Sequence, residues 1–139
     1  MTPSEIQRRL ALKIRLNKIE GVGVTGPVIL HEILYMNSYP SKLVQGYCRT
    51  NDSDPFWHVI VMVGEDQVLD IGHTLACLQD PEYAKLRFTL SQEEPEEEYQ
   101  KDQMVIDSWE LYQKDPKDFW KKMPKKIQDF RAKMMREFK

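Results

Sequence analysis

The sequence predicts an α+β domain: helices at both ends, and an antiparallel meander between them. Three observations carry this. Apolar residues recur at helical spacing near both termini. The middle of the chain holds runs rich in aromatic and β-branched residues. The elements come in blocks rather than in βαβ alternation, which argues against a parallel sheet.

At the N-terminus, Thr2-Pro3-Ser4-Glu5 reads as a helix start, with Thr2 as cap, Pro3 at the first helical position and Glu5 closing a capping box. Ile6, Leu10 and Ile14 follow at spacings of four, so a helix over 3–18 has one apolar face. Gly21, Gly23 and Gly26 make a turn, and Thr25 or Gly26 is expected to cap a second helix with Pro27 in its first turn. That helix is apolar on most sides and is expected to be central and buried. Strands are predicted over 43–49, 56–63 and 67–71, the last two joined by the tight turn Gly64-Glu65-Asp66. A short helix near 74–79 and a strand over 86–90 follow. Helices then run over 96–113, 116–123 and 124–137. The organisation is one domain over 1–139: an N-terminal helix (1–20), a core (21–91) and C-terminal helices (92–139).

The chain has 139 residues, 41% apolar and 30% charged, with a net charge of −2. That suits a folded domain with one core and gives no global pull towards nucleic acid or a membrane. The charge is uneven. Residues 93–102 carry six acids against one lysine, and residues 114–139 carry ten Lys or Arg against four acids. The first reads as a solvated connection. The second reads as solvated helix faces or as a basic arm that meets an acidic partner or phosphates. Trp109, Tyr112, Phe119, Trp120, Ile127, Phe130, Met134 and Met135 are read as packing back on the domain, against the alternative of an amphipathic binding arm.

Two cysteines, Cys48 and Cys77, are too few for a secreted disulfide framework. No apolar run is long enough for a membrane span or a signal peptide, so a cytoplasmic location is the expectation. No cofactor and no metal are expected. His58, Asp70, His73 and Cys77 match no zinc spacing, His31-Glu32 fails HExxH because Tyr35 stands where the second His belongs, and Gly21-x-Gly23-x-x-Gly26 lacks a preceding strand.

One pair carries chemistry. His58 lies early in one strand and Asp70 in the next, across a three-residue hairpin, which brings them within side-chain reach. An Asp that holds a His in one tautomer is the orienting half of a nucleophilic triad.

The ordered set Gly21–Tyr47, Pro40, Gly46-Tyr47, His58-Val59-Ile60-Val61 and Leu69-Asp70 resembles the core motif of transglutaminase-like proteins, a branch of the papain-type cysteine hydrolase fold. It covers about residues 20–75. The resemblance implies a central helix packed on a small antiparallel sheet, with a nucleophile at the helix start, His58 as base and Asp70 as orienter. The family's Cys falls at Gly23, which has no side chain, and no cysteine precedes Cys48. Thr25, at the same helix mouth, and Cys48, after Gly46-Tyr47, are the candidate substitutes. The expected function is therefore a catalytically degenerate member, a pseudoenzyme. It would bind a protein or peptide in a cleft between helix 26–37 and the His58 strand, with Gly46, Tyr47 and Trp57 as candidate contacts. Two readings compete with it: an active acyl-transfer or amide-cleaving enzyme, and an adaptor acting through the basic C-terminal helices.

Overall fold

A computed structural model describes residues 1–51 and 54–139. Its elements run α1 (Pro3–Leu16), α2 (Thr25–Met36), β1 (Ser41–Thr50), β2 (Phe56–Val63), β3 (Gln67–Leu69), α3 (Ile71–Gln79), a 3-10 turn (Tyr83–Lys85), β4 (Phe88–Ser91), α4 (Gln103–Lys114), α5 (Pro116–Lys122) and α6 (Lys125–Glu137). The fold is α+β, as the block order predicts, and the four strands form one antiparallel sheet in the order β3-β2-β1-β4.

Thr2 caps α1 by accepting a hydrogen bond from the Glu5 backbone N–H at 3.2 Å. The face carrying Ile6, Leu10 and Ile14 is buried. Helix α2 is the centre of the molecule, with Val28, Ile29, Leu30, Ile33 and Leu34 all buried. The expected cap by Thr25 or Gly26 is corrected. Helical bonding already begins upstream, with Gly26 N–H on Val22 O and Val28 N–H on Val24 O, both at 3.0 Å. Val24 therefore stands at the cap position without a side-chain cap, and Thr25 turns its hydroxyl back to Gly21 O at 3.4 Å.

One core cluster joins α1, α2 and α6 to Val61, Leu69 and Ile71. A second joins the cap residue Val24 and Val28 of α2 to Val59, Trp109 and Phe119. Val59 and Val61 therefore face α2. Side chains alternate along a strand, so His58 and Ile60 face the other way. Helix α3 packs on the main core through Ile71, Leu75 and Leu78, and its start also reaches that second face. His73 of α3 stacks on Phe88 of β4 at 4.2 Å between ring centroids, so the α3 connection crosses from one edge of the sheet to the other.

Several boundaries differ from the sequence reading, and two of the differences have a specific cause. The third strand stops at Leu69, because Asp70 turns the chain into α3 as its N-cap. The helix expected from residue 96 starts at Gln103, capped by Asp102 through the Met104 N–H at 2.9 Å. Gln100 is committed to the sheet instead. Its N–H reaches Pro55 O at 2.8 Å, and its carbonyl accepts from Trp57 N–H at 2.9 Å. A helix through residue 100 would need those groups for itself. The acidic stretch is further tied to β1 by an Arg49–Glu97 ion pair and by Tyr99 lying edge-on to Tyr47.

The C-terminal helices are part of the core. Phe119 and Met134 are fully buried, and Ile127, Phe130 and Phe138 nearly so. Each such side chain stabilises the fold by about 1.5–3 kcal/mol, so the segment is not a free arm. Among the described residues, no helix is long and apolar enough to cross a membrane.

Candidate functional site

The three-residue turn between β2 and β3, with Gly64 at φ +63°, sets the register Val63↔Gln67 to Val61↔Leu69. Continuing that register by one step brings Asp70 beside the His58–Ile60 face. His58 Nε2 lies 2.5 Å from Asp70 Oδ1, and the ring donates to the carboxylate. The same oxygen accepts from the His73 backbone N–H at 3.0 Å. Asp70 is 7% exposed. A buried carboxylate needs such donors, and the N-terminus of α3 adds a favourable dipole. The predicted pair is therefore assembled, though diagonally from a strand to a helix cap rather than across two strands.

Gly72 permits the approach. A Cβ at this position would stand 2.6 Å from His58 Cε1, closer than real contacts allow, and a tight 3.1 Å from Nε2. Phe56 packs edge-on to the imidazole, with centroids 5.6 Å apart. The other ionisable groups of this face are Cys48, His73, Cys77 and Tyr83. His73 Nε2 and Cys77 Sγ are 3.4 Å apart. Burial first, and the charge on Asp70 second, raise the Cys77 thiol and push the Cys48 thiol up to about 12. An activated cysteine needs a positive neighbour and a lowered pKa. Cys48 has the reverse: it is buried beside a carboxylate and stays a thiol at neutral pH.

The remaining candidates lie elsewhere. Thr25 is buried and turned to Gly21 O. A Cβ on Gly23 would meet Val105 Cγ1 of α4 at 3.2 Å, in a small pocket lined by Thr25, Val105, Ser108, Phe119 and Met123. None of these residues belongs to the face that carries His58. The expected cleft between α2 and the His58 strand is corrected too: Val28, Val59, Trp109 and Phe119 fill that seam. Gly46, opposite His58 in the β1–β2 register, has Ser91 O within 3.0 Å of where a Cβ would stand, so β4 covers it. Tyr47 is taken up by Tyr99, and Trp57 lies beside Gln100, Lys101 and Asp102. Tyr47 and Trp57 are cross-strand partners on one face of the sheet, and Gly46 lies on the opposite face with His58, so the three expected contact residues do not share one surface. Among the described residues, no group of three or more His, Cys, Asp or Glu could hold a metal ion.

One concavity among the described residues escaped the sequence reading. It is a groove of about 590 Å³ between α2 and the α5–α6 pair, lined by His31, Glu32, Tyr35, Tyr112, Trp120 and Arg131, with Lys117 and Lys121 at its lip. Arg131 donates twice to Glu32 Oε2, from Nε at 3.0 Å and Nη2 at 2.6 Å. Its guanidinium sits 4.2 Å over the Trp120 ring. The one advance signal is Tyr35, a large ring on a mostly apolar helix that the structure leaves 80% exposed.

Neither a family model, nor a curated protein, nor a solved structure matches this chain.

Proposed function

We propose that this protein is a non-catalytic domain that binds a protein or peptide, and that it keeps the His–Asp half of a transglutaminase-like site as a structural fastening. The observation that carries this reading is the double use of Asp70 Oδ1, which holds His58 and caps α3 with the same oxygen. The pair thereby joins β2 to the start of α3. The supporting chemistry is the state of the candidate nucleophiles. Gly23 has no side chain and faces α4, Thr25 is turned to Gly21 O, and Cys48 is a buried thiol with its pKa raised to about 12. An acyl transfer needs an activated nucleophile next to the base.

The test compares the wild-type chain with His58→Ala on a generic glutamine-donor and amine-acceptor pair and on a peptide amide. The expected result is no turnover above background for either protein. Iodoacetamide at pH 7 should label Cys48 only after the chain is unfolded in urea. Turnover that His58→Ala abolishes without unfolding the protein would restore the enzyme reading. So would rapid labelling of native Cys48.

A further inference from the structure

The groove between α2 and α5–α6 has a floor and a lip of different chemistry. Trp120, Tyr112 and Tyr35 present aromatic surface in and beside it. Such rings supply rigid contact area for an apolar anchor. The inner charges cancel, because Glu32 and Arg131 pair directly. Burial holds His31 below its usual range, and its Nδ1 is 2.7 Å from the Ser41 hydroxyl. What remains is Lys117 and Lys121, one turn apart on α5, both exposed and with no ion pair recorded among the described residues. The lip therefore carries two exposed lysines without a salt-bridge partner among the described residues, beside the exposed Tyr35 ring.

We infer that this groove takes a short acidic segment of a partner protein, with an apolar side chain seated against the exposed Tyr35 ring and carboxylates meeting Lys117 and Lys121. The inference rests on the binding-module reading and gives it a site and a partner chemistry. A free anion would leave the rings uncovered. A nucleic acid strand needs a run of cations to follow its backbone, whereas this groove offers two on a chain whose net charge is −2. The volume, about 590 Å³, is of the size usual for a ligand pocket.

The experiment pans a phage-displayed library of random dodecamer peptides on the immobilised full chain. The selected peptide is then measured by fluorescence anisotropy against wild type, Lys117→Glu/Lys121→Glu and Tyr35→Ala. All three substituted residues are exposed, so circular dichroism should show unchanged folds. The expected peptides combine Asp or Glu with an aromatic or aliphatic residue. Their binding should weaken with added salt and fall about tenfold or more on double charge reversal. Loss of the Tyr35 ring should weaken it as well. Peptides that bind all three proteins equally overturn the groove assignment and leave the binding-module reading standing. Failure to select any peptide overturns both. A wild-type dimer that the charge reversal dissociates, or displacement of the peptide by a single-stranded oligonucleotide, assigns the groove to a second copy or to nucleic acid and overturns the proposal.

Discussion

Asp70 Oδ1 stands 2.5 Å from His58 Nε2 and 3.0 Å from the His73 backbone nitrogen, so one buried oxygen ties a strand to the first turn of the following helix. Two consequences can be measured on this connection, a third at the groove beside α2, and a fourth on the C-terminal helices.

Asp70→Ala removes the cap of α3 and leaves the His58 ring without its acceptor. The expected cost is roughly 2–4 kcal/mol, combining a lost N-cap with an unmatched polar group. Asp70→Asn keeps an oxygen that both donors can reach, and Asn caps as well as Asp does. Its cost should be clearly smaller. Urea unfolding of both variants decides the matter: equal losses would mean that neither the cap nor the imidazole contact stabilises the fold.

Gly72→Ala inverts the usual sign. In a helix, Ala is favoured over Gly by roughly 0.5–1 kcal/mol. Here the added methyl would meet the imidazole at 2.6 Å, and the ring cannot swing away without leaving Asp70. The substitution should destabilise by about 1–3 kcal/mol. In a His58→Ala background the obstacle is gone, and the same change should be neutral or favourable. A double-mutant cycle with no coupling between positions 58 and 72 would remove the close approach from the account.

How much of this was legible in the sequence depends on how local each cause is. The His58–Asp70 pair was legible because a three-residue turn fixes which residues meet across it. The cap of α1 was legible because all its parts lie within four residues. The direction of His58 was not. The strand Phe56–Val63 is apolar on both faces except at His58 itself, and an unbroken apolar run does not say which side meets the main core. The start of α4 was misplaced because Gln100 answers to Pro55 and Trp57, far back along the chain. The groove was invisible for the same reason: Glu32 and Arg131 are 99 residues apart.

His31 gives a pH dependence with a definite sign. Burial lowers its pKa below 6.5, and the charge on Glu32 offsets this only in part. The folded state thus binds the proton less readily than the unfolded chain. The contribution of neutral His31 is complete above pH 6.5 and is lost as pH falls from there through the folded value. Wild type should therefore lose stability relative to His31→Gln on acidification through that window. A wild-type advantage that grows as the pH drops would show that the imidazole is held as a cation, contrary to its surroundings.

The C-terminal helices offer the sharpest contrast between an arm and a core. Phe119 packs with Val24, Val28, Val59 and Trp109, and Met134 packs with α1 and α2. Phe138, at the end of the chain, is still only 3% exposed, and its carbonyl accepts from Asn37 Nδ2 at 3.0 Å. Phe119→Ala should cost about 3–5 kcal/mol, a large share of the roughly 5–15 kcal/mol that holds a domain together. Truncation after residue 113 removes Phe119, Ile127, Phe130, Met134 and Phe138 together, and should abolish cooperative unfolding at 25 °C. A truncated chain that still melts sharply, with wild-type circular dichroism, would mean that α5 and α6 rest on a finished domain. The lip lysines of the groove would then belong to a detachable segment rather than to the wall of a fixed site.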